Sequence, residues 1–464
     1  MLIRGAELRS GRTLDVRIAG DSVAAVADRL TVEPGETVLE ANGAALLPGL
    51  HDHHLHLFAL AGALESLHCG PPAVLNEIQL AQRLRERAAT DASTRDEWIR
   101  GIGYHESVAG DIDRAWLDRV VPGRPARIQH RSGRLWIINS RGLALLGPGD
   151  EAPATGRLYD ADPWLRARLG SRPPALQRAS ELLASYGVTG VTDAGARNST
   201  GEYRYFADAT ACGALLQRVV VMGDASLDGV IDSGLARRGQ TKIYLRESAL
   251  PTTGELCATI ERSHAAGRAV AVHCVTETEI VFAVAAIGMA GRVAGDRIEH
   301  ASIAPPAVLA LLAEHDLAVV TQPNFVRERG DAYLAEVPAR DHPWLYRARG
   351  FLDAGIALAG GTDAPLGDPN PWLAMHCAVE RHTAGGRALG EAEALSPEEA
   401  LALFGGDPLA PGRAVASMGH GSIHSGSPAD LCLLDRPWSA ARRNLAAVEV
   451  VATLRGGHLI WQRA

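Results

Sequence analysis

The stretch that most constrains this chain is Pro48-Gly49-Leu50-His51-Asp52-His53-His54-Leu55-His56. It follows the apolar run Ala44-Ala45-Leu46-Leu47 and reads as a buried β-strand with a Pro-Gly turn signal. Side chains alternate across a strand, so Asp52, His54 and His56 share one face while His51 and His53 share the other. Two imidazoles two residues apart on one face can reach a single metal ion, because neutral imidazole is a good ligand for zinc and its neighbours. A His-rich surface turn would bind nothing, but the apolar strand behind this pair argues for the metal.

Length and composition narrow the setting. A chain of 464 residues can bury a large core and has room for two or three domains. Net charge is −8 and no Lys/Arg block stands out, which argues against nucleic acid or an anionic membrane as partner. The N-terminus Met1-Leu2-Ile3-Arg4-Gly5 lacks a signal-peptide core, and no apolar run is long enough for a bilayer. The cysteines Cys69, Cys212, Cys257, Cys274, Cys377 and Cys432 are scattered without a C-x-x-C pair, as expected of a reducing cytoplasm.

Both ends of the chain have the texture of short β-strands. Leu14–Ile18 and Val23–Val26 are separated by Gly20-Asp21, and Gly421–Ile423, Ala429–Asp435 and Val448–Ala452 follow near the C-terminus. The expectation is a small β-sandwich domain built from residues 1–46 and 413–464 around a middle of 47–412. In that middle, strand-like segments fall at Tyr186–Asp193, Leu215–Met222, Thr241–Leu245, Arg268–Val275, Arg297–Ile303, Leu317–Pro323 and Ile356–Asp363, and the opening strand makes eight. Helix signals lie between them. Thr276-x-x-Glu279 and Ser396-x-x-Glu399 are capping boxes, and Pro305-Pro306 opens another helix. Eight β/α units predict an α/β chain folded as a (β/α)8 TIM-like barrel. Residues about 65–175 break the rhythm and read as an insertion after the first barrel strand, placed to help build a substrate pocket.

Polar residues recur where these strands end. They are His54 and His56 on the first strand, Lys242 on the fourth, His273 on the fifth, His300 on the sixth and Asp363 on the eighth. Any one alone would read as a satisfied core or surface residue. Together, on the strand ends where barrel enzymes carry their chemistry, they read as one site.

With these residues in hand, the chain resembles the amidohydrolase superfamily of metal-dependent hydrolases. The matching signature is Pro48-Gly49-x-x-Asp52-x-His54-x-His56, then Lys242, His273, His300 and Asp363. It is similar in particular to the YtcJ-like (amidohydrolase 3) branch, through Trp98-Ile99-x-Gly101-x-Gly103, Asn139-Ser140, Gly187-Val188-Thr189, Arg297-Ile298-Glu299-His300-Ala301, Thr362-Asp363-Ala364-Pro365 and Gly421-Ser422-Ile423. The resemblance implies that His54, His56 and Asp363 hold one divalent metal, zinc foremost, and that His273 and His300 hold a second. It further implies that Lys242 bridges the two as a carbamate formed with CO2, since an ammonium has no lone pair to offer. An unmodified Lys242 would leave one metal per chain. Asp363 is then the general base for water attacking an amide-type C–N bond, N-acyl or N-formyl. Deamination, carbamate or ester hydrolysis and decarboxylation use the same kind of site, and a catalytically inactive barrel that binds a partner is a further alternative.

The chain departs from the branch beside these residues, at Gly133-Arg134 and at Leu245-Arg246-Glu247-Ser248. Arg134 and Arg246 are therefore candidates for a substrate carboxylate, and Tyr104, His105, Tyr244 and Asn324 are further candidate contacts to a small-molecule substrate. The resemblance also allows a homodimer.

Overall fold

The structure is a computed structural model and describes residues 1–8, 11–71, 73–89, 98–147, 153–169, 173–412 and 423–463. The expected segment Gly421-Ser422 lies outside the described residues. Eight parallel strands form one sheet: β1 (Leu50–Leu55), β2 (Val188–Asp193), β3 (Arg218–Gly223), β4 (Ala236–Tyr244), β5 (Val270–Cys274), β6 (Arg297–His300), β7 (Ala318–Thr321) and β8 (Leu358–Gly360). They are ordered as in the sequence, the arrangement of a (β/α)8 barrel. Between the first and last strands, the Asp363 backbone N–H donates to His54 O at 2.8 Å.

Parallel strands carry helices on one face and the barrel interior on the other, so both faces must tolerate burial. β1 and β2 do so at every residue. The helix signals read from the sequence appear in place. Thr276 caps Glu277–Ala290 with Glu279 returning the bond, and Ser396 and Glu399 do the same for Pro397–Ala402. Pro306 opens the helix Pro306–Glu314.

The two termini build two four-stranded sheets. One takes Leu2–Glu7, Thr13–Ala19, Ser22–Ala27 and Val38–Glu40. The other takes Leu46–Pro48, Leu431–Leu434, Val450–Arg455 and His458–Gln462, the last being a strand the sequence reading passed over. A single apolar core that includes Ile3, Val16, Ile18, Leu46, Leu431, Leu433 and Leu454 lies between them. The sandwich meets the barrel where β2 begins. Gly187 has φ +84°, and a Cβ there would fall 2.4 Å from Cys432 Sγ.

Phe58–Ala175 is a compact unit of its own, with a five-stranded sheet of Leu67–His68, Ile99–Tyr104, Ala126–His130, Leu135–Ile138 and Arg157–Tyr159. Asn139 organises it. The buried side chain donates to Val121 O and Arg124 O and accepts from the N–H groups of Ala126 and Gly142, the latter in the first turn of Ser140–Leu146. No helix among the described residues is long and apolar enough to cross a membrane.

Leu433 is 1 % exposed within the sandwich core. Leu433→Ala should lower unfolding stability by about 2–5 kcal/mol in urea titrations. A loss well below about 1 kcal/mol would contradict a core shared by both termini.

Candidate metal centre

The alternation along β1 acts as expected. His51 and His53 face outward, where His51 Nε2 meets Thr192 Oγ1 at 2.9 Å and His53 Nε2 meets Gly405 O at 3.0 Å. His54 faces the interior with 1 % exposure. Its Nε2 lies 3.6 Å from Asp363 Oδ1, and His56 Nε2 lies 3.3 Å from the same oxygen. His54, His300 and Asp363 offer ligand atoms all within 4.8 Å of one another. The His300 ring centroid is 4.7 Å from that of His54 and 4.4 Å from that of His273. Lys242 is buried on β4, close enough for its charge to act on His54, His273 and His300.

Two backbone departures help build this cluster. His300 and Asp363 have φ of +71° and +54°, in the left-handed region that non-glycine residues rarely occupy. Strict alternation on β6 would send His300 and Glu299 to opposite faces. The positive φ lets both turn towards His54, whose Nδ1 is 2.5 Å from Glu299 Oε2. Strain of this kind is tolerated where function needs it.

The electrostatics suit a cation. Burial lowers the pKa of His54 to about 4, of His300 to about 3 and of His273 to about 2, so all three rings are neutral and able to coordinate at pH 7. Burial also presses down on His56, but the Asp363 carboxylate outweighs it and leaves that ring above the usual histidine value. Asp363 is the reverse case. Burial works to raise it, and the His56, His54 and His300 rings hold it below the ordinary carboxylate range. The buried polar atoms without a hydrogen-bond partner include Asp363 Oδ1 and Lys242 Nζ, both at this cluster. Buried polar atoms are rarely left so, and an unpaired carboxylate oxygen beside the neutral His54 and His300 rings fits a divalent metal.

Comparison with known proteins agrees with this geometry. Residues 37–460 match the profile of the amidohydrolase family. The chain belongs to the amidohydrolase family. This amidohydrolase is 27% identical to an N-substituted formamide deformylase of Arthrobacter pascens, across 99% of this chain and 97% of that one. It is 23% identical to YtcJ of Bacillus subtilis (strain 168), named as an amidohydrolase, across 93% and 92%. A metal-dependent hydrolase from Pyrococcus horikoshii OT3 has the same fold, with a TM-score of 0.76 at 20% identity, covering 99% of this chain and 98% of that one.

Of the expected substrate contacts, Tyr244, Arg246 and Asn324 lie in the same compact unit as the centre. Tyr244 is half exposed and stacks on His273 at 4.1 Å, and the Arg246 guanidinium lies 5.2 Å over the Tyr244 ring. Asn324 is buried, donates to Thr362 O, and keeps Oδ1 without a partner. Tyr104, His105 and Arg134 belong to the Phe58–Ala175 unit. Tyr104 is 1 % exposed and its hydroxyl donates to Gly110 O at 2.5 Å, so its polar atom is spent within its own unit. His105 caps the short helix Glu106–Ala109. Arg134 is held in two-pronged fashion by Asp160 at 2.9 and 2.6 Å, which takes the place expected for a substrate carboxylate.

Sequence reasoning missed three residues that touch the centre. Glu299 meets His54, Gln322 Oε1 meets His300 Nδ1 at 2.7 Å, and Thr362 donates to Asp52 through its hydroxyl at 2.6 Å. Glu299 and Thr362 each stand beside a recognised ligand, and that adjacency was the available signal.

The buried rings set an acid limit. His53, depressed to about 3, joins His54, His273 and His300. An unfolded histidine titrates near 6.5, so unfolding binds protons wherever the folded ring refuses them. The stability this contributes is full above about pH 6.5 and is lost as pH falls towards the folded values. Denaturant midpoints of the metal-free chain should therefore hold between pH 7 and 8 and fall from about pH 6.5 to 4. A flat profile through that window would contradict neutral buried rings.

Proposed function

We propose that this amidohydrolase cleaves an amide-type C–N bond, N-acyl or N-formyl, with Asp363 as the group that moves the proton. The observation that carries this reading is Asp363 Oδ1, which is buried, without a hydrogen-bond donor, and set between His54 and His56 at 3.6 and 3.3 Å. The formamide deformylase relative supports the choice of bond, since the two chains align over almost their whole lengths.

His54, His56 and Asp363 would hold one divalent ion, zinc foremost, and His273 and His300 a second. Lys242 is proposed to lie between them as a carbamate. Its amine nitrogen bonds the carbon of CO2 and gives up a proton. The unpartnered Nζ and the burial that lowers its pKa both favour the neutral amine this needs. A bound divalent cation supplies Lewis acidity, polarising the substrate carbonyl and making water more acidic. Asp363 takes a proton from the attacking water and delivers it to the leaving nitrogen as the C–N bond breaks, giving a carboxylate and an amine. Tyr244 and Arg246 flank the His273 side of the centre. The exposed guanidinium is suited to an anionic group on the substrate.

The chain loaded with zinc should release formate and amine in equal amounts from an N-substituted formamide. Asp363→Asn should lower that rate at least about 100-fold. Ammonia as the nitrogen product would point to deamination instead, and undiminished turnover by Asp363→Asn would remove Asp363 from the chemistry.

A further inference from the structure

We infer that Arg297 and Glu299 form a positioning relay across the barrel interior that makes His54 a stronger nitrogen donor to the metal centre than His300. The inference rests on the reading that this centre holds a divalent cation.

The interior of a (β/α)8 barrel is normally filled by branched apolar side chains. Here two charged residues of β6 occupy it, Arg297 and Glu299, each with 0% exposure. β6 pairs with β5 and β7, and β1 pairs with β2, so β6 and β1 are not neighbours in the sheet. The polar contacts between them therefore cross the barrel. Arg297 Nε donates to Glu299 Oε1 at 2.6 Å, and Glu299 Oε2 meets His54 Nδ1 at 2.5 Å. Arg297 Nη2 donates to His53 O at 3.0 Å, so the guanidinium also grips the backbone of the strand whose side chain the carboxylate holds.

The chemistry of this chain has one direction. A carboxylate beside a guanidinium can only accept, so the proton of the short bond belongs to His54 Nδ1. That fixes the ring tautomer and leaves a lone pair on Nε2, the nitrogen facing Asp363 Oδ1. His300 has the same arrangement with a weaker support, because its Nδ1 faces the neutral amide oxygen of Gln322. A histidine backed by carboxylate is the more basic ligand, and such outer partners are typically worth 10–100-fold in metal affinity.

Stability does not explain the pair. Burying two charges costs about as much as their attraction returns, and well-packed apolar replacements are often neutral or better. What the relay supplies and an apolar pair cannot is an acceptor aimed at Nδ1 of a ligand.

The test uses zinc alone, its affinity measured by chelator competition, with cobalt(II) visible spectra as a second readout and the melting temperature of the metal-free chain as the folding control. Glu299→Gln should weaken zinc binding about 10–100-fold and alter the cobalt spectrum, with the melting temperature little changed. The charge-free double variant Arg297→Met/Glu299→Leu, which keeps the volume, should weaken zinc to a similar degree. Wild-type affinity in either folded variant would overturn the relay and leave the metal reading intact. Failure of both variants to fold would also overturn it, by making the pair structural. A wild-type chain that binds no zinc would overturn the relay and the metal reading together.

Discussion

The carboxylate of Asp52 ties the first barrel strand to the segment that follows the last. One oxygen accepts from the backbone N–H groups of His54 and Thr362, both at 3.1 Å, and the other accepts from the Thr362 hydroxyl at 2.6 Å. The Asp363 N–H bond to His54 O lies beside it. Gly361 permits the approach, since a Cβ there would fall 2.5 Å from His54 Cβ. Joining the two ends of the sheet and bringing His54 beside Asp363 are therefore one event. The site depends on the closure of the barrel, and the closure is made by residues next to the ligands. Burial pushes the Asp52 carboxyl up to about 7 against these three donors.

The centre is an island of polarity inside a fold that ordinarily excludes it. His54, His273 and His300 tolerate the interior by staying neutral, while Glu299 stays charged because Arg297, Lys242 and His54 together outweigh its burial. This is the form in which an interior can offer lone pairs to a cation without carrying loose protons. The fold alone does not name a reaction, since barrels of this type host many chemistries. The side chains at the strand ends, together with membership of the amidohydrolase family, point to hydrolysis.

Much of the architecture was legible because it follows local rules. The alternation of His54 against His53, the capping boxes at Thr276 and Ser396, and the rhythm of strand and helix need no distant partner. What escaped were features fixed by register and long-range contact. Nothing near Arg134 announces Asp160, which is 26 residues away, or near Glu299 announces His54, which is 245 residues away. The positive φ at His300 also breaks the alternation on which strand reasoning relies. Tyr244 and Arg246 are candidates by position alone, but the stacking of Tyr244 on His273 comes only from folding β4 against β5.

The strand-end cluster of the barrel is the proposed metal site. The most direct measurement is anomalous X-ray scattering at the zinc absorption edge, on crystals of the chain soaked with zinc. A principal peak touching His54, His56 and Asp363 is expected, with any second peak at His273 and His300. Zinc found only elsewhere on the chain, or no ordered zinc at the cluster, would contradict it.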